Sequence, residues 1–352
     1  MLRMLYVGND VKKVTSGYEI LNIRNLSLLK RLKNIECEIV EFQKYVFVDK
    51  LFFHVGGTSF NLVREVLDRC AAKKYDCMFF SSSLLGPVIK KVKQKYPDIK
   101  IICNFHNVER QYAAEFLKVS GVNHLPFFIA SFIAEKLSIK YLDYSIVLND
   151  RDAGYLRKFY NKRADLILPI TVADKFDKSK VERNVNDIIY LFVGVAFYAN
   201  VEGVRWFIKE ILPYIKGKFI VVGKGMDAYR QEFESDRVEV HGFVDDLSHY
   251  YYRASFVVSP ILSGGGMKTK VAEALMYGKT VIGTKEALEG YYVEKGAIYQ
   301  CDTSSHFVDV INTLTDMGMV EQYNPMSRQL YLDNYSNECA FEKLNSAIQQ
   351  WK

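Results

Sequence analysis

Short apolar runs alternate with helix-period segments along nearly the whole chain. In the first half, Leu2–Val7, Cys37–Glu41, Cys77–Phe80, Ile99–Cys103, Ser145–Leu148 and Leu166–Leu168 are short, mainly apolar runs and the candidates for buried strands. Helical spacing fills the gaps between them, as in Tyr18–Leu32, Phe60–Lys73 and Pro87–Lys95. The second half repeats the theme with Ile188–Val193, Phe219–Val222, Val238–Val240, Phe256–Ser259, Thr280–Ile282 and Ala297–Tyr299. Such alternation predicts an α/β protein of parallel sheets covered by helices on both faces. Between the halves, Pro169–Lys180 loses its periodicity and gathers charge, which marks a linker. The pattern divides the chain into residues 1–170 and 171–334. A final helix over 335–352, with Phe341, Leu344 and Ile348 at helical spacing, is expected to pack back on the first domain.

Composition changes this picture little. A chain of 352 residues, 49% hydrophobic and 25% charged, is ordinary for two globular domains. Six scattered cysteines show no CxxC pair and no metal-ligand spacing, so free thiols in a reducing compartment are expected. The opening residues turn polar too soon for a signal peptide, and no apolar run reaches the roughly 20 residues of a spanning helix. A cytoplasmic protein is the expectation. Charge is more informative. Residues 1–170 carry 27 Lys/Arg against 17 Asp/Glu, and residues 171–352 carry 20 against 24. The basic first half fits an anionic partner or membrane surface as well as it fits a solvated face; no nucleic-acid motif accompanies it.

The strongest chemical signal is Ser263-Gly264-Gly265-Gly266-Met267-Lys268-Thr269-Lys270-Val271-Ala272-Glu273, lying between a strand pattern and a helix pattern. Successive glycines let backbone approach a ligand, and the helix start beyond them offers unpaired N–H groups. Lys268 and Lys270 add positive charge, and Glu273 supplies an acceptor suited to ribose hydroxyls. A nucleotide-linked ligand is the reading these groups favour. A glycine-rich turn that only packs a helix against a sheet is the alternative.

With Phe192-Val193-Gly194 and Asn200, Val221–Gly225, His241–Leu247 and Gly264–Glu273, and with Phe105–Glu109 and Val147–Asp150 in the first half, the chain resembles glycosyltransferase family 4 over nearly its whole length. That resemblance implies the GT-B architecture of two Rossmann-like, doubly wound domains facing across a cleft. It also implies a retaining transfer from a nucleotide sugar, UDP before GDP, with no cofactor and no bound metal. By position, Glu273 would hold the ribose. The Gly264, Gly265 and Gly266 backbone, with Met267 and Thr269, would face the diphosphate and donor sugar, and the backbone near Phe243 and Val244 would read the base. Asn200 would lie near the donor, Gly17 and Ser16 near the diphosphate or the acceptor, and His106 would reach toward the donor sugar. Asp245-Asp246 precedes a helical run and reads as a cap rather than a metal site. Tyr250–Tyr252 reads as an aromatic turn.

Two departures stand out. Gly265 occupies the place where many relatives have a glutamate for the donor sugar, and Val195–Val201 lacks their Arg/Lys pair. Lys268 or Lys270 is therefore expected to neutralise the diphosphate, as catalytic residues together with His106. The implied chemistry is front-face attack, the departing diphosphate oxygen taking the acceptor's proton, in glycan or polysaccharide synthesis. The apolar segments Tyr45–Phe53 and Leu125–Ile133 suggest peripheral docking on an anionic membrane and a lipid-linked acceptor, or else a homo-oligomer interface. A non-catalytic partner subunit and a nucleotide-sugar epimerase are the rival readings.

Overall fold

The computed structural model describes residues 1–9, 17–43, 49, 54–120, 124–181, 187–320 and 322–351. Ser16 and, apart from Asp49, the segment Tyr45–Phe53 lie outside the described residues. The chain divides into two compact units, Met1–Pro169 with Ala340–Lys352, and Ile170–Cys339.

The first unit holds β1 (Leu2–Val7), β2 (Ile35–Val40), β3 (Cys77–Phe80), β4 (Lys100–Asn104), β5 (Tyr144–Val147) and β6 (Leu166–Ile167), in the order β2-β1-β3-β4-β5-β6. The second holds β7 (Ile189–Val193), β8 (Lys218–Val222), β9 (Val238–His241), β10 (Phe256–Ser259), β11 (Thr280–Gly283) and β12 (Ile298–Gln300), in the order β12-β11-β10-β7-β8-β9. Every pairing is parallel. The twelve strands fall where the apolar runs place them, within a residue or two at the ends.

Central strands are buried throughout because helices cover both faces. In the first unit one face packs Leu5, Val7, Met78, Phe80, Ile101 and Cys103. The opposite face packs Met4, Tyr6, Phe79 and Ile102 against Leu26 and Leu29 of the helix Gly17–Arg31 and Leu344 and Ile348 of the helix Asn337–Gln350. Helix boundaries follow local chemistry. Ser59 and Asn149 accept hydrogen bonds from the first turns of Phe60–Ala72 and Asp150–Tyr160. The latter ends at Asn161, whose φ of 51° is the left-handed conformation asparagine tolerates. In the second unit Tyr190, Phe192, Phe207, Phe219 and Phe256 form the aromatic centre of the core.

The second sheet has the Rossmann strand order, so its connections change direction between β7 and β10. Ligands of open parallel sheets bind outside the carboxyl ends of the strands at such a switch point. The loops that leave β7 and β10 are Gly194–Phe197 and Pro260–Lys268.

Candidate functional site

At this switch point the backbone is drawn unusually close. A Cβ on Gly223, which follows β8, would lie 1.9 Å from the Gly194 carbonyl oxygen; one on Gly203 would lie 2.3 Å from that of Pro260. Because the opposing atoms are backbone, they cannot swing aside. Gly223→Ala is expected to cost about 2 kcal/mol or more, read as a lower urea midpoint; a midpoint equal to the parent's would show that the loop can yield.

The glycine loop itself is open. Gly264 has φ 130° and Gly266 φ 70°, and a Cβ on Gly264 would meet nothing within 4 Å. Such conformations suit glycine and leave backbone accessible above the loop. Met267 is buried, its Sδ 3.5 Å from the amide of Ile170. Thr269 begins the helix Thr269–Met276.

The two lysines differ in their surroundings. Lys268 precedes the helix and curls back. Its Nζ donates to the carbonyls of Gly266 (2.7 Å), Gly265 (3.3 Å) and Glu286 (3.2 Å) and pairs with the Glu286 carboxylate at 3.0 Å. Tyr291 donates to the Lys268 carbonyl at 2.8 Å, so this residue clamps the loop. Lys270, the second residue of the helix, points toward the end of the sheet. Its Nζ donates to Asn200 Oδ1 at 2.9 Å and lies 3.8 Å from the centroid of the Phe192 ring. It forms no ion pair with any carboxylate among the described residues. Burial holds its pKa well below the usual lysine range; the neighbouring Lys268 adds to that effect and Glu273 opposes it. Asn200 also donates to the Val195 carbonyl at 2.8 Å, so the Asn200–Lys270 bond ties the β7 loop to the β10 helix across the switch point.

Glu273 lies on the same helical face as Lys270. Its Oε2 accepts a hydrogen bond from the Tyr251 hydroxyl at 3.1 Å. Burial raises its pKa, against the pull of Tyr251, Lys175 and Lys270. Tyr251 is buried and stacked on Tyr277 with centroids 4.7 Å apart. Phe243 is exposed and Val244 half-buried after β9, while Asp246 accepts hydrogen bonds from the amide and hydroxyl of Ser248.

The first unit carries its own polar cluster at the carboxyl ends of its strands. His106, just beyond β4, is buried and held 2.6 Å from the Ser81 carbonyl through Nε2. A carbonyl cannot donate, so Nε2 carries the proton and Nδ1 is the acceptor. Burial lowers the pKa of His106 to about 4, with Ser81 opposing and Arg24 assisting, which keeps the ring neutral. Gly17 is the first residue of its helix. Asn22 and Asn25 on that helix, Asn104 at the end of β4 and the Ser81 hydroxyl are fully buried with no side-chain hydrogen-bond partner among the described residues. Buried amides without partners ordinarily meet water or a ligand.

Sequence reasoning did not find a buried pair of carboxyls. Glu135 on the helix Leu125–Tyr141 accepts hydrogen bonds from the Glu109 amide (2.5 Å), the Arg110 amide (3.1 Å) and the Tyr160 hydroxyl (2.6 Å). It thereby caps the helix Glu109–Ser120 from a neighbouring element. Glu109 beside it has its pKa raised to about 8, first by burial, then by Glu135 and Asp152. Burial raises the Glu135 pKa as well, but its three donors pull the other way, whereas no donor among the described residues opposes the rise at Glu109.

Two doubly wound units, each built on a six-stranded parallel sheet, define the GT-B class of fold. Comparison with solved structures agrees. Sucrose-phosphate synthase from Thermosynechococcus elongatus superposes with a TM-score of 0.76 at 15% identity, covering 100% of this chain and 99% of that one. The lipopolysaccharide outer core galactosyltransferase WaaB, in apo form, gives 0.70 at 14% identity and covers 100% of each chain. Alr3699/HepE of Anabaena, in complex with UDP and glucose, gives 0.66 at 14% identity over 99% of this chain and 100% of that one. Residues 187–316 match the family model of glycosyl transferases group 1, a span that contains Asn200, Lys270 and Glu273. No curated protein matches the chain in sequence.

Proposed function

We propose that the chain is a retaining glycosyltransferase that moves a sugar from a nucleotide sugar, with UDP as the expected nucleotide, to a glycan or lipid-linked acceptor, without a metal ion. The observation that carries this reading is Lys270: a buried side chain whose Nζ has an amide oxygen and an aromatic face for company and forms no ion pair with a carboxylate among the described residues. An anion placed there would supply the missing charge. The helix start at Thr269 and the open glycine backbone add donors on the same side.

A diphosphate at Lys270 puts Glu273, one turn further along, in reach of a ribose. Tyr251 fixes the rotamer of that carboxylate. Lys270 would then stabilise the charge that develops as the bond from anomeric carbon to diphosphate oxygen lengthens. Retention follows if the acceptor attacks from the side the diphosphate leaves, its proton passing to the departing oxygen. No side chain need act as general base, and the protein's contribution is positioning and field. Lys268, already bound to Glu286, holds the loop in shape. His106 serves as a fixed neutral acceptor for a hydroxyl.

The test is a thermal-shift series with UDP-, GDP-, ADP- and dTDP-sugars, with and without magnesium. A ligand that binds only folded protein raises the melting temperature by an amount set by its concentration over its Kd. A rise with UDP-sugars, independent of magnesium and absent in Glu273→Ala, is the expected result. Well-folded protein that responds to none of the four would overturn the proposal and leave a non-catalytic partner as the better reading.

A further inference from the structure

The helix Leu125–Tyr141 is inside out. Toward the rest of its unit it buries Ala130, Ser131, Ala134, Glu135 and Ser138. These residues suit close approach: Ser138 donates to the Ser83 carbonyl at 2.6 Å, and a Cβ on Gly86 would lie 1.9 Å from the Ala134 carbonyl oxygen. Outward it presents Leu125, Ile129 and Ile133, which are 44%, 46% and 51% exposed. At 100° per residue those three and the exposed Lys136 and Lys140 fall within one stripe about 80° wide. Its outward stripe is thus apolar at the N-terminal end and basic at the C-terminal end.

We infer that this stripe docks the protein on an anionic lipid bilayer, Leu125, Ile129 and Ile133 entering the interface and Lys136 and Lys140 meeting lipid headgroups. Charge selects this occupant. The stripe ends in two lysines and carries no acidic residue, its one glutamate being buried. Residues 1–170, which include it, carry 27 Lys/Arg against 17 Asp/Glu. A second copy packed parallel on this helix would set Lys136 and Lys140 against their own counterparts, and one packed antiparallel would set them against Ile129 and Leu125. No helix among the described residues is long and apolar enough to cross a membrane, so the contact lies in the plane of the interface. Docking there would bring the protein to acceptors embedded in lipid.

Co-sedimentation of the full chain with phosphatidylcholine vesicles, with and without phosphatidylglycerol, tests this. At low salt the protein should pellet with the anionic vesicles and be largely released at high salt. Ile129→Glu with Ile133→Glu, and separately Lys136→Glu with Lys140→Glu, should each weaken partitioning by about tenfold or more. Since all four positions are exposed, melting temperature and the nucleotide-sugar thermal shift should stay at parental values; this separates failure here from failure of the donor site. Parent protein that ignores anionic vesicles at low salt would overturn the inference, as would binding unaltered in both double variants. Light scattering that shows a parental dimer made monomeric by Ile129→Glu with Ile133→Glu, without vesicle binding, would assign the stripe to self-association instead.

Discussion

Lys270→Met protein is expected to melt higher than its parent and to transfer sugar at least 100-fold more slowly, about 3 kcal/mol of transition-state stabilisation. The two effects have one cause. The buried Lys270 Nζ is desolvated; its direct contacts among the described residues are Asn200 Oδ1 and the Phe192 ring, with Lys268 and Glu273 acting on it through space. Methionine keeps most of the side-chain volume and sheds the charge, a change that in buried sites often stabilises by about 1–3 kcal/mol. In a unit of this size that is a rise of ~2–4 °C per kcal/mol. The pH dependence carries the same sign. The folded-state pKa lies below the usual 10.5, so between those values the unfolded chain binds the extra proton and the parent gains stability as pH rises. The methionine variant should lose that component. Melting curves from pH 7 to 10, with turnover measured at neutral pH, check all of this. A variant that melts lower while still turning over would show Lys270 to be a structural residue and remove the main support for the donor site.

Glu109→Gln is the second large effect, and its sign depends on pH. Burial, with Glu135 and Asp152 nearby, raises the Glu109 pKa from 4.5 to about 8. Between those values the unfolded chain releases the proton and the folded protein keeps it, so stability is lost as pH rises through that window. The full linkage is at most on the order of 4–5 kcal/mol. Glutamine imitates the protonated carboxyl and has nothing to release. Parent and variant should therefore melt together near pH 4.5 and diverge progressively to pH 8, the variant being the more stable. His106 contributes oppositely in both proteins: its pKa falls from 6.5 to about 4, so its contribution is lost on acidification through that range. A constant difference between parent and variant from pH 4.5 to 8 would show that Glu109 ionises normally.

These two residues also mark where sequence stops being legible. The strands could be read because a parallel sheet covered on both faces demands unbroken apolar runs, and Cys77–Phe80 or Phe256–Ser259 can be little else. The glycine loop could be placed for the same reason, since it joins such a strand to a helix. Lys268 and Lys270 could not be told apart, being two positions apart at a helix start. Only the fold shows one turned back to Glu286 and the other driven against Phe192. Glu109 and Glu135 stand 26 residues apart on separate helices, and no local pattern announces that one caps the helix the other begins. The apolar segment Leu125–Ile133 was visible, but whether its residues face the core or solvent is a property of its packing.

The chain leaves its first unit after Pro169 and re-enters it at Ala340. At that crossing Thr171 Oγ1 lies 2.8 Å from Asn337 Oδ1, and the amide of Val172 donates to the Tyr335 carbonyl at 3.1 Å. The second unit thus begins and ends at one spot, stitched shut, and in genetic terms it is a cassette that can be lifted out as a single uninterrupted reading frame. Its companion is not. A fragment stopping at residue 169 would lack Ala340, Leu344 and Ile348, and the face of Met4, Tyr6 and Ile102 would lose that part of its cover. Anyone dividing this protein must splice the last turns of the chain back onto its beginning.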